Sequence, residues 1–143
     1  MQNKNFEEVI NYFKSGKFVI AEEKVAKLIE KFPNNYTLYN LLGSILVAQK
    51  NLDKAIINYK KSIQINPNYA VTYNNLAVLL TRIKKFDESI DNYHRAIEIK
   101  PDYAEAYSNL GFAFKQFGKF NESINSYQQA IKIKPDYAEA YKN

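Results

Sequence analysis

PDYAEAYSNLG at residues 101–111 returns as PDYAEAYKN at 135–143, and PNYAVTYNNLA at 67–77 is a third copy. FPNNYTLYNLLG at 32–43 is an earlier and looser one. Between these lie AIINYKKSI (55–63), SIDNYHRAI (89–97) and SINSYQQAI (123–131), once per period. Pro33, Pro67, Pro101 and Pro135 are the only prolines and stand 34 residues apart. A fixed period of this length marks repeated supersecondary units, each burying its apolar face against the next, and not one irregular globule.

Each period reads as two helices. In AEAYSNLGFAFKQFG, Tyr107, Leu110, Gly111 and Phe114 follow i, i+3, i+4, i+7 spacing and share one face. Gly118 interrupts the pattern, and FNESINSYQQAIKIK starts a second helix with Phe120, Ile124, Tyr127 and Ile131 as its apolar stripe. Asn121 is placed to cap that helix, and Glu122 suits the positive end of its dipole. Pro135 disfavours helical geometry at Lys134 and closes the unit. The register holds upstream: Tyr39, Tyr73 and Tyr107 share a phase with Tyr141, and Leu42 and Leu76 with Leu110. Gly43, Ala77 and Gly111 occupy a phase where two helices must come close and no large side chain fits. On the second helix Ala55, Ser89 and Ser123 match, as do Tyr59, Tyr93 and Tyr127, and Ser62, Ala96 and Ala130.

These residues resemble the tetratricopeptide repeat family: an aromatic, leucine, glycine and a bulky residue on helix A, then alanine, an aromatic, alanine and proline on helix B. Units 36–69, 70–103 and 104–137 match closely. Unit 2–35 is a degenerate end unit that keeps Gly16, Phe18, Ala21 and Pro33 but has Asn5 and Leu28 at two signature positions. Its first helix, roughly Asn5 to Lys14, sets Phe6, Val9, Ile10 and Phe13 against Glu7, Glu8, Asn11 and Lys14, the polar face that a terminal repeat requires. Residues 138–143 begin a further helix A and stop before its leucine-glycine step. The expectation is therefore an all-α fold, a right-handed superhelical solenoid of antiparallel helix-turn-helix units, forming one array over 1–143. The short last unit points to a piece of a longer array, or to an end that meets another copy or domain.

Composition narrows the function. The 143 residues are 46% hydrophobic and 24% charged, ordinary for a folded domain. Without cysteine there is no thiolate metal site and no thiol nucleophile. His94 is the lone histidine and has no metal-ligating companion. Neither a phosphate loop nor an activated serine is present, so no catalytic site, metal or cofactor is expected. The net charge of +5 invites a nucleic-acid reading, but the lysines are scattered among glutamates and no base-stacking motif accompanies them. Most of the 12 tyrosines fall at core phases and read as packing. Neither a secretory apolar run at the start nor a membrane-length run elsewhere is present, so the expected location is cytoplasmic.

The family resemblance implies a concave groove lined by helix A. Carried over phase by phase, it is formed by Asn40 and Ser44, with Leu41, Val47 and Ala48; by Asn74, Asn75, Val78 and Arg82, with Thr81; and by Ser108, Asn109, Phe112, Lys115 and Gln116. Glu105 and Glu139 fall at its edge, and the end unit adds Phe6, Ile10, Phe13 and Lys14. Asn75 and Asn109 sit where some members carry an asparagine ladder. An amide both donates and accepts, so such a row suits an extended peptide backbone, although it also suits plain solvation of the groove. The clamp that co-chaperone members use for a terminal carboxylate is not expected, because its phases lack the cations. The expected function is a non-catalytic scaffold for a protein or peptide. Two alternatives are the recruiting part of a longer enzyme, such as a glycosyltransferase or sulfotransferase, and self-assembly through an open end around Phe120, Tyr127 and Tyr141.

Overall fold

A computed structural model describes residues 2–136, the side chain of Gln2 excepted, as eight α-helices with no strand. They are α1 (Gln2–Lys14), α2 (Phe18–Lys31), α3 (Tyr36–Ala48), α4 (Leu52–Ile65), α5 (Ala70–Arg82), α6 (Phe86–Ile99), α7 (Ala104–Gln116) and α8 (Phe120–Ile133). The chain divides into two compact units, Met1–Pro67 with α1–α4 and Asn68–Asn143 with α5–α8. Within each unit the first and second helices pair, as do the third and fourth, and the second also packs on the third.

One local device ends every odd-numbered helix. At the end of α7 the Gly118 N–H bonds the Lys115 carbonyl at 3.1 Å and the Lys119 N–H bonds the Phe114 carbonyl at 2.8 Å. That pair of bonds defines a Schellman turn, which needs a left-handed residue at its bend. Gly16, Lys50, Lys84 and Gly118 take that conformation, with φ of 77°, 63°, 65° and 82°. Even-numbered helices end differently. Phe32, Asn66, Lys100 and Lys134 adopt φ between −128° and −136° ahead of the prolines, outside the helical region that a following proline ring disfavours.

The capping role expected of Asn121 does not materialise. The N-cap of α8 is Lys119 and makes no side-chain bond, while Asn121 is the second helical residue. The Schellman turn at Gly118 feeds Lys119 directly into the helix, which sets its start two residues early. Glu122 does lie in the first turn. A side-chain cap forms instead at α3, where Asn35 Oδ1 accepts from the Thr37 N–H at 3.0 Å.

The first unit buries Val9, Ala21, Val25, Leu28, Leu38, Leu41 and Ile45 as one cluster, each large aliphatic contributing about 1.5–3 kcal/mol. Phe6, Ile10 and Phe13 are half-buried and pack against that cluster. The second unit buries Ala77, Ile90, Tyr93, Leu110, Ala113 and Phe114, with Tyr127 and Ala130 forming a smaller cluster beside Tyr107 and Ile131.

The large-on-small crossings that the repeat register implies are present. A methyl placed on Gly43 would stand 2.6 Å from Cδ1 and Cε1 of Tyr59, and one on Gly111 would stand 2.9 Å from Cδ1 of Tyr127. The serines at the small positions do more than leave room. Ser89 Oγ donates to the Ala77 carbonyl at 2.9 Å, Ser123 Oγ to the Gly111 carbonyl at 2.7 Å, and Ser62 Oγ to the Tyr36 carbonyl at 2.9 Å. Each bond ties an even-numbered helix to the backbone of its partner, and those of Ser89 and Ser123 do so in a buried setting, where such a bond counts most.

Candidate functional site

In the second unit the faces of α5 and α7 meet, and a groove of about 350 Å³ opens over their C-terminal halves. Val78, Thr81 and Arg82 line it from α5, at i, i+3 and i+4; Asn109, Phe112 and Gln116 line it from α7, at i, i+3 and i+7. Lys84 from the intervening turn, and Phe86 and Tyr93 from α6, complete it. Helical periodicity therefore delivers one side of α5 and one side of α7 to one hollow.

The lining is mixed in character. Val78 and Phe112 are 43% and 47% exposed, two apolar side chains left open to solvent side by side in one hollow. Asn109 is half-buried and donates from Nδ2 to Asn74 Oδ1 at 3.2 Å, a bond that fixes its amide at the groove wall. Arg82, Lys84 and Gln116 line the solvent side of the hollow. Tyr93 is buried and forms the floor; burial pushes its phenol well above its ordinary range, a hydrogen bond with Thr81 pulls the other way, and the negative charge of Glu105 adds to the rise. The floor is thus a neutral hydroxyl throughout the neutral range. Thr81 is itself buried, with its Oγ1 2.9 Å from the Ala77 carbonyl and hydrogen-bonded to Ser89.

Six of the residues expected to line a groove come together here: Val78, Thr81, Arg82, Asn109, Phe112 and Gln116. Asn75 is half-buried on α5 and Lys115 exposed on α7, and neither lines the hollow. Asn40 and Ser44 belong to α3 of the first unit, with Ser44 half-buried and its Oγ 3.1 Å from the Tyr59 hydroxyl. Two assignments need correction. Asn74 is 1% exposed and Ser108 4%, so both fill space between packed helices and neither offers a polar atom to a ligand. Asn74 instead serves as the acceptor that positions Asn109.

The proposed assembly end also changes. Tyr127 is 6% exposed because its ring packs over Gly111, and it cannot form an outer surface. Phe120 is exposed, as is Ile124 one turn on; Tyr141 and Glu139 lie outside the described residues.

Lys84, Phe86 and Tyr93 join the lining without being expected there. Lys84 and Phe86 lie in and just after a turn, where helical phase says nothing about direction. Tyr93 has a core phase and is core; that a core ring also floors the groove follows from the gap between α5 and α7. A larger hollow, about 630 Å³, is framed by the single turn 31–37 and carries no comparable set of converging side chains. Among the described residues no group of three or more acidic, histidine or cysteine side chains gathers as metal ligands, and no helix is long and apolar enough to cross a membrane. The ring of His94 stands 6.4 Å from that of Phe114.

The sequence profile of the tetratricopeptide repeat matches residues 34–102 and, one repeat further on, 68–136. None of the curated proteins matches the chain. Among solved structures, that of MamA is similar at 29% identity and a TM-score of 0.81, over 92% of this chain and 77% of that one. The first such domain of Spaghetti (RPAP3), solved bound to the HSP90 peptide SRMEEVD, is 26% identical with a TM-score of 0.73, over 76% of this chain and 86% of that one. YrrB, described as having an unusual peptide-binding site, shares the fold at 19% identity and a TM-score of 0.83, over 99% of this chain and 73% of that one.

Proposed function

The chain belongs to the tetratricopeptide repeat family, and from that we propose that it is a protein-interaction scaffold holding an extended peptide segment of a partner against α5 and α7. The observation that carries this reading is the pairing of half-exposed Val78 and Phe112 with the Asn109 amide in one hollow. The apolar pair offers anchorage to a side chain, while Asn109 keeps an acceptor and a donor for a peptide backbone. The Asn74 bond holds that amide ready, which lowers the ordering cost of binding. The Spaghetti (RPAP3) domain, solved with a peptide bound, gives family support.

Selection of random 12-residue peptides on the whole chain, followed by affinity measurement against Phe112→Ala, tests this. Phe112 is about half exposed, so its truncation should shift the thermal midpoint only slightly while weakening selected peptides about tenfold, the effect of losing an aromatic anchor. Peptides that bind Phe112→Ala as tightly as the parent would remove the groove from consideration.

A further inference from the structure

The charges around the α5–α7 groove are unevenly distributed along it. Among the described residues, Arg82 and Lys84 are the only ionised side chains that line it, and both are cations. Arg82 sits in the last turn of α5, and Lys84 is the left-handed residue just beyond. Neither pairs with a carboxylate among the described residues. Two other cations do pair, Lys24 with Glu8 at 2.9 Å and Arg95 with Glu98 at 3.0 Å, so it is their place in the groove lining that sets Arg82 and Lys84 apart. Asp87 and Glu88 follow closely in the first turn of α6, but neither lines the groove. The nearest acid along α7 is Glu105 in its first turn, at the opposite end of the helix, and its charge is felt at the Tyr93 floor. The ionised lining is therefore purely cationic and gathers by the C-terminal end of α5, beside the apolar Val78 and Phe112.

We propose that the partner segment is an internal acidic-apolar peptide, with aspartate or glutamate side chains between Arg82 and Lys84 and an apolar side chain on Val78 and Phe112. This rests on the peptide-groove reading above and adds the chemistry of the occupant. Arg82 presents a planar fork matched to a carboxylate, and Lys84 adds a second, mobile donor two residues away. An unpaired cation pair at a rim favours an acidic ligand mainly through encounter and register, and the contribution is screened by salt. A side-chain carboxylate fits better than a chain terminus, because the apolar contacts beside Arg82 and Lys84 continue the groove and do not close it.

The test uses the whole chain and fluorescent peptides: acetyl-GSLDEFDLSG-amide, its neutral twin acetyl-GSLNQFNLSG-amide, and the neutral twin with a free C-terminal carboxylate. The acidic probe is expected to bind about five- to tenfold more tightly than the neutral twin at about 50 mM salt, with the advantage shrinking by about 500 mM. The double substitution Arg82→Gln and Lys84→Gln should abolish that difference. Lys60→Gln with Lys61→Gln removes two exposed charges from the first unit and should preserve it. Equal binding of the acidic and neutral probes, both weakened by Phe112→Ala, would overturn the charge assignment and leave the groove standing. No binding by any probe, or binding indifferent to Phe112→Ala, would bring both down. A free-acid twin that outbinds the acidic probe would shift recognition to a terminus, and single-stranded DNA that displaces the acidic probe at equal concentration would replace the peptide with a polyanion. Either result overturns the proposal.

Discussion

Lys50 and Lys84 occupy the left-handed bend that glycine fills at positions 16 and 118. The Schellman bonds hold them there; for Lys50 these are its own N–H to the Val47 carbonyl at 2.9 Å and the Asn51 N–H to the Leu46 carbonyl at 2.9 Å. This conformation costs a side chain with a Cβ about 1–2 kcal/mol, partly offset by the extra freedom glycine has when unfolded. Lys50→Gly should therefore stabilise the chain by about 1 kcal/mol and raise its thermal midpoint by a few degrees in a melt followed by circular dichroism. An unchanged or lower midpoint would mean that the Lys50 side chain contributes something the turn geometry does not show. The glycines of this turn are readable directly from the sequence. The two lysines are not, since lysine has no preference for the bend, and only the repeat register points to them.

At the scale of the helix pair, the crossing of α3 on α4 is tighter than that of α5 on α6. Gly43 faces Tyr59 with no room for a methyl, while Ala77 carries one at the equivalent position facing Tyr93. Adding a methyl at Gly43 gains about 1 kcal/mol of helix propensity, but it must push the Tyr59 ring aside and disturb its contact with Ser44. Overpacking costs about 1–3 kcal/mol and a broken buried hydrogen bond about 1 more, so the crossing decides the sign. Gly43→Ala is expected to lower stability by about 1–3 kcal/mol in urea unfolding with the slope unchanged; a gain would show that the ring moves freely. The phase of small residues announces these crossings. It does not announce the serine-to-carbonyl bonds that accompany them, because a serine at a small position reads the same whether its hydroxyl is bonded or merely fits.

For the whole molecule, packing joins helices that are neighbours in sequence, and each unit has a hydrophobic cluster of its own. Damage should accordingly stay local. Gly111→Leu drives a bulky side chain into the Tyr127 ring, and amide exchange is expected to lose its protection in α7 and α8 while α1–α3 keep theirs. Loss across the entire chain would show that folding is cooperative over its full length. The 34-residue period, the helix pairs and the small-residue crossings are all legible in the sequence, because periodicity and proline and glycine chemistry act locally and repeat. Six of the nine groove residues are legible too, since Val78, Thr81, Arg82, Asn109, Phe112 and Gln116 follow from the family resemblance carried along the helical phase. Which polar side chains reach solvent is not: Asn74 and Ser108 share the phase of groove residues, yet the approach of neighbouring helices covers them. Burial is a property of what packs alongside a residue, and that is decided by tertiary contacts between segments about 34 residues apart, beyond the reach of any local pattern.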